Sequence, residues 1–496
     1  MGLTGALMLC GTASDVGKSR LTAGLCRVLA RRGVRVAPFK AQNMSLNSFV
    51  TEGGHEVARS IAHQAAAANI LPEVAMNPIL LKPTAAHSSQ LIVMGRPVGL
   101  MSSEEYSTTK ETLIGVVADA LEDLRRRFDV VILEGAGGAA EINLLRGDLV
   151  NLPLARRASI PAVLVGDIER GGVFASIYGT AALLPSELRV VLAGFIINKF
   201  RGDLRLLDSG IDELERRTGL RSLGVVPHLG TLVMDAEDSM ALNSTFPGVP
   251  PLDSGALDVV VLRLPHISNF NDLDPLLHET DVSLRYVRRA RDLGDPDLIV
   301  IPGSKSTVAD LQWLRNRGFD RAIALARTRA SAVLGICAGY QMMGAMIIDG
   351  VESNVERVDG LALLDATTHF HAEKWTAQRV GVDDEGHPIS GYQIHHGRTL
   401  AHDVTPWFFL DDARTAEGIR RSEDGLYATS LHGLFEADAF RHAFLTEIAE
   451  HRAKIFLPSP EPFAKVRERE IDVVADAIEE SLDLGLIFEL IARGAR

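Results

Sequence analysis

The stretch Gly11-Thr12-Ala13-Ser14-Asp15-Val16-Gly17-Lys18-Ser19 constrains the fold of this chain more than any other. It follows the apolar run Ala6-Leu7-Met8-Leu9-Cys10 and leads into a helical pattern from Leu21 to Arg31. A strand that feeds a helix through a glycine-rich turn aims several backbone N–H groups at one point, where they and the helix dipole hold phosphate oxygens. Lys18 adds a mobile charge for the β- and γ-phosphates of a nucleotide, and the Ser19 hydroxyl is placed to ligate a bridging Mg²⁺ ion. Five residues separate Gly11 from Gly17 where the usual pattern has four, so Thr12 takes the first glycine's place and the loop is a variant. Thr12, Gly17, Lys18 and Ser19 are the predicted nucleotide contacts. An ordinary strand-to-helix turn is the plain alternative.

A chain of 496 residues exceeds one ordinary core and points to two or three domains. Its 46% apolar and 23% charged residues are those of a soluble globular protein. No apolar run reaches membrane-spanning length and no charged leader precedes the first strand, so a cytoplasmic protein without membrane contact is expected. Cys10, Cys26 and Cys337 are too few and too scattered for a disulfide framework or a zinc site. The formal charge of −13 argues against nucleic acid as a partner, which needs a basic face. The sequence leaves the oligomeric state open.

In parallel α/β sheets ligands sit at the carboxyl ends of strands. The strand-like run Val34–Phe39 ends in Lys40-Ala41-Gln42-Asn43, which puts Lys40 beside the phosphate loop as a charge for a transferring phosphoryl group. Glu56 opens a helical pattern running to Ala68 and is a second metal candidate or a helix-terminal acid. The run Asp129–Leu133 reads as a buried parallel strand ending in Glu134-Gly135-Ala136-Gly137, and Glu134 is the better metal ligand. Further strands end in Asp167 and in Asn198-Lys199, where the Asn198 amide is suited to a purine edge. The alternation to Val226 predicts a doubly wound parallel sheet over residues 1–240, with a Pro-, Gly- and Ser-rich linker at 241–256.

A second α/β unit is expected over 257–445, followed by a helical C-terminal tail at 446–496. Gly335-Ile336-Cys337-Ala338-Gly339 has the form of a nucleophile elbow, in which a sharp strand-to-helix turn exposes a thiol at a helix N-terminus. Backbone N–H groups of Ala338 and of the Gly303-Ser304 turn would form its oxyanion hole. His432, in Ser430-Leu431-His432-Gly433, is the best candidate for the partner base. His369 and His371 lack a third local ligand and read as strand or loop residues, whereas His395 and His396 are a structural pair or a pocket wall. A phosphate loop and a cysteine–histidine site on one chain suggest that one half frees ammonia from glutamine and the other activates a carboxylate with ATP.

These stretches also resemble a known family. Pro38-Phe39-Lys40-Ala41-Gln42-Asn43-Met44, Glu134-Gly135-Ala136-Gly137, Asn198-Lys199-Phe200-Arg201-Gly202-Asp203, Gly335 to Gln341 and Leu431-His432-Gly433 are similar, in this order, to the cobyric acid synthases, and the phosphate loop with its extra residue is similar to that of dethiobiotin synthetase. The resemblance implies a dethiobiotin-synthetase-like first half and a class I-type glutamine amidotransferase second half. It implies ATP, Mg²⁺ and glutamine as cosubstrates, and amidation of the b, d, e and g carboxylates of a corrinoid, adenosylcobyrinic acid a,c-diamide, to give adenosylcobyric acid. Cys337 corresponds to the family's nucleophile and His432 to its catalytic histidine. Triad amidotransferases carry a Glu two residues after the His; here that residue is Leu434 and the nearest acid is Glu436. A cobyrinic acid a,c-diamide synthase, a ParA-like ATPase and a nucleotide-binding regulator with an inactive amidotransferase domain are the competing readings.

Overall fold

The structure is a computed structural model that describes residues 2–495 except 86–87, 146, 231–254, 354, 403 and 412–414. Most of the expected 241–256 linker lies outside the described residues. Two of its three six-stranded sheets, both mainly parallel, organise the chain.

In the first sheet all strands are parallel, in the spatial order Arg221–Pro227, Leu192–Phe200, Ala162–Asp167, Gly5–Gly11, Val130–Gly138, Val36–Phe39. Helices cover both faces of such a sheet, which is why its strands read as near-continuous apolar runs. The chain passes from one side of Gly5–Gly11 to the other after Val130–Gly138, so the crevice of this doubly wound sheet opens at the carboxyl end of the central strand. Glycine-rich turn, Lys40 and Glu134 all emerge there.

The second sheet runs Val282–Val287, Leu257–Leu262, Leu298–Ile301, Ala332–Ile336, Leu426–Thr429, Ile419–Arg421, and only the last strand is antiparallel. Ala332–Ile336 lies between Leu298–Ile301 and Leu426–Thr429, which brings Cys337, Gly303 and His432 to one sheet edge. A third sheet is built on the long hairpin Ala366–Asp383 and Pro388–Ala401. His369 and His371 lie on its first strand, as expected, and His395 and His396 on its second. A small sheet of Gln42–Met44, Ile79–Ala85, Ser88–Val93 and Arg96–Ser102 flanks the first half.

Two expectations are corrected. Residue 56 does not open a helix: Glu56–Ala58 is a strand paired with Ser48–Val50, and the helix is Arg59–Ala67. The stretch from 446 is not a separate tail. Its helices Phe463–Ser481 and Leu484–Arg493 pack on helix Lys18–Arg31 and strand Gly5–Gly11, joining the core of Leu7, Leu9, Leu25 and Ile132 through Ile471, Val474, Ile478 and Ile491. Arg27 bonds Asp472 at 2.7 Å and Arg31 bonds Asp476 at 2.6 Å. Amphipathic helices of this kind bury their apolar stripe wherever an open face is offered, here beside helix Lys18–Arg31 on the same face of the sheet.

Gly5 shows how tight this closure is, because a Cβ there would lie 1.9 Å from the Ile491 carbonyl oxygen. Gly5→Ala is expected to lower stability by about 1–3 kcal/mol, the usual range for forced overpacking. A shift of the urea midpoint at unchanged slope measures it.

Candidate functional site

Three elements converge on one buried carboxylate. Glu134 Oε1 accepts from Ser19 Oγ at 2.7 Å and from Lys40 Nζ at 2.9 Å, and its Oε2 accepts from Gln64 Nε2 at 2.5 Å. Lys18 Nζ reaches back across the turn to the carbonyls of Ala13 (3.1 Å) and Gly137 (3.0 Å). Gly11 allows this, since a Cβ there would sit 2.5 Å from that ammonium. Gly17 adopts φ +97°, and its missing side chain makes room for the Asn198 amide, whose nitrogen would lie 2.2 Å from a Cβ. Asn198 therefore braces the loop, donating one amide N–H to the Val16 carbonyl at 2.8 Å. Thr12 N–H donates to Val165 O, anchoring the start of the turn to the neighbouring strand. A hydroxyl and a carboxylate 2.7 Å apart are hard oxygen donors of the kind Mg²⁺ takes beside substrate phosphates.

Glu56 does not belong to this cluster. One of its oxygens is bound by Lys82 and by Ser48 Oγ (2.8 Å), the other by Lys374 Nζ (2.7 Å), all deeply buried. Burial alone would raise its pKa, but the two lysines outweigh burial and hold it below the usual carboxylate range.

In the second half Cys337 sits at φ +53°, ψ −107°, between strand Ala332–Ile336 and helix Ala338–Met343. This strained elbow requires small neighbours: a Cβ at Gly339 would lie 1.8 Å from Ile301 O, and one at Gly335 2.5 Å from the Met343 sulfur. His432 is buried and lines the same pocket as Cys337, whose thiol donates to the Ile394 carbonyl at 4.0 Å. Gly303 packs on the His432 ring, where a Cβ at that position would lie 3.1 Å from Cε1.

The sequence reading missed the third member of this group. Asp272 Oδ2 lies 2.6 Å from His432 Nδ1, and its other oxygen accepts from Gly433 N–H at 2.9 Å. Asp272 stands in the first turn of the 3-10 helix Phe270–His278, after the first strand of the second sheet. The rule that ligands gather at strand carboxyl ends, which located Lys40, applies equally to the polar run Ser268-Asn269-Phe270-Asn271-Asp272. Glu436 is not that partner; Arg59 and Arg467 bind it at 2.6 and 2.7 Å and, against the effect of burial, hold it down to about 2. Burial disfavours a charge on His432, but Asp272 and then Cys337 overcome it and raise its pKa to about 10.

A pocket opens beside Cys337, lined by His432, Gln341, His395, His396, Lys305 and Lys82 among others. Burial pushes His395 down to about 4, which leaves it neutral at pH 7. Its Nδ1 lies 2.7 Å from Gly397 O and so carries the proton. Nε2, its lone-pair nitrogen, is buried without a protein partner among the described residues. The histidine pair is thus a pocket wall.

The family profile described as "CobQ/CobB/MinD/ParA nucleotide binding domain" matches residues 7–240, and that described as "CobB/CobQ-like glutamine amidotransferase domain" matches residues 258–440. A cobyric acid synthase of Frankia casuarinae is 45% identical over 517 aligned positions, covering 99% of this chain and 98% of its own. That of Rhodococcus jostii is 47% identical, covering 99% and 96%, and that of Streptomyces coelicolor 46% identical, covering 99% and 97%. Among the described residues no helix is long and apolar enough to cross a membrane.

Asp272→Asn is expected to reduce glutamine hydrolysis by about a hundredfold to ten-thousandfold, as for the orienting acid of other triads. The His432 pKa lies above its ordinary 6.5, so its share of stability is complete below pH 6.5 and is lost as pH rises through about 10. In Asp272→Asn that loss should shift to lower pH, which urea midpoints measured from pH 6 to 10 will reveal.

Proposed function

The chain belongs to the cobyric acid synthase family, and from that premise we propose that it catalyses glutamine- and ATP-dependent amidation of the b, d, e and g carboxylates of adenosylcobyrinic acid a,c-diamide. The observation that carries the reading is the pairing, on one chain, of the Cys337–His432–Asp272 group with the Lys18, Ser19, Lys40 and Glu134 group.

Cys337 Sγ attacks the glutamine amide carbon, and the N–H groups of Ala338 and the Gly303-Ser304 turn face the oxyanion that forms. His432 holds the proton that leaves with ammonia, and Asp272 keeps the imidazole oriented and compensates its charge. The Nε2 lone pair of His395 is available to the amide N–H₂, which a carboxylate lacks. Water then hydrolyses the thioester to glutamate. In the other half Lys18 and Lys40 face the phosphates of ATP, with Thr12 and Gly17 shaping the turn and Asn198 bracing it. Ser19 and Glu134 would hold the Mg²⁺ that accompanies ATP, which neutralises phosphate charge. The γ-phosphoryl group passes to a carboxylate oxygen of the corrinoid, releasing ADP. Ammonia attacks the acyl carbon, and phosphate leaves.

Mass spectrometry with glutamine labelled at its amide nitrogen tests the reading. One label is expected at each of the b, d, e and g positions. Cys337→Ser should lose incorporation from glutamine and keep it from labelled ammonium; absence of amidation from either source would overturn the substrate assignment. Lys40→Met should lower ammonia-driven amidation by about a hundredfold or more, the loss typical of one electrostatic stabiliser, while glutamine hydrolysis persists.

A further inference from the structure

The hairpin Ser48–Val50 and Glu56–Ala58 belongs to the first half but bonds to second-half residues around the glutaminase pocket. Ser48 N–H donates to Asn269 Oδ1 at 2.8 Å, three residues before Asp272. The Ser48 carbonyl accepts from Tyr392 OH at 2.8 Å. Tyr392 stacks on His432 with ring centroids 5.4 Å apart and exchanges both backbone hydrogen bonds with it. On the paired strand, Glu56 holds Lys82 and Lys374, both of which line the pocket; Lys82 is its only wall residue from the first half among those described. Thr376 Oγ1 adds a 2.7 Å bond to the Gly54 carbonyl at the hairpin's turn.

The other end of the same segment reaches the nucleotide cluster. Ala58 leads without a break into helix Arg59–Ala67, whose Gln64 holds Glu134 Oε2, while Ser19 and Lys40 hold Oε1. Nucleotide and metal arriving at Ser19 and Glu134 must compete with these contacts. A buried carboxylate shared between two lysines is costly to desolvate and is strongly bound only in one geometry, so it transmits displacement rather than absorbing it.

We propose that residues 48–64 are the coupling element of the enzyme, in which Glu56 is a positioning residue that lets occupation of the nucleotide and corrinoid sites set the glutaminase rate. The proposal rests on the amidation reading above. It assigns Glu56 no contact with substrate or metal. Its action passes through Lys82 and Lys374 on one side and through the Ser48 contacts to Asn269 and Tyr392 on the other.

The experiment compares glutamine hydrolysis with and without ATP, Mg²⁺ and adenosylcobyrinic acid a,c-diamide, beside ammonia-driven amidation, in the full chain. Wild type should be stimulated by the added substrates. Glu56→Gln should reduce that stimulation about fivefold or more, the lower range of ordinary site-to-site coupling, and leave ammonia-driven amidation within twofold, about the spread of single contacts. Tyr392→Phe, which removes one hydroxyl and keeps the ring on His432, should reduce it in the same direction and decides the matter where Glu56→Gln fails to fold. Unstimulated wild type, or stimulation retained in both variants, overturns the proposal. Failure of wild type to amidate the corrinoid with ammonia overturns instead the reading on which it rests.

Discussion

The carboxylate of Glu134 is the point on which the first half depends. Ser19, Lys40 and Gln64 come from three separate elements and meet only because each donates to it. A buried acid with a cation and two neutral donors is fully satisfied, and removing any donor would leave charge uncompensated in a low dielectric. The same oxygens are those a hard metal ion would claim, so the group that organises the resting cluster is also the one that a nucleotide complex would rearrange.

The second half is organised by a comparable bond, between Asp272 and His432, and other buried charges hold its two partners in register. Arg441, fully buried, donates to Glu279 Oε1 and to the Phe435 carbonyl, each at 2.7 Å. It thereby ties the end of the 3-10 helix that carries Asp272 to the segment just after His432. Buried ion pairs add little net stability compared with apolar packing, but a broken one is expensive, so such pairs specify one arrangement against near alternatives. The Glu56 group does the same between the halves, and Arg59 with Glu436 adds a further pair across that boundary.

Continuity of the chain is a second constraint. The C-terminal helices return to cover helix Lys18–Arg31, so the half that begins the chain is completed by the end of it, and the glutaminase fold is inserted between. Relative movement of the halves is therefore restrained by two crossings of the chain as well as by the buried interface. Local shifts within that interface are the motion such an arrangement permits.

Local chemistry was legible in the sequence where a function needs residues at fixed spacing along one turn. The phosphate loop, the elbow around Cys337 and the strand-end positions of Lys40 and Glu134 follow from backbone geometry over fewer than about ten residues, as turn and strand-end rules do. The two parallel sheets follow from apolar runs alternating with amphipathic ones. The roles of Glu56 and Asp272 and the packing of the C-terminal helices were not legible, because they are set by partners far along the chain: Lys374 for Glu56, His432 for Asp272, helix Lys18–Arg31 for the chain's end. Periodicity cannot distinguish a buried strand from the first turn of a helix at Glu56, nor tell a carboxylate that will meet a lysine from one that will meet a metal. The chemical groups this protein carries, and the strand ends at which they emerge, are written in local segments. Which of those groups meet is a property of the packed chain and not of any segment within it, because burial and pairing arise only on folding.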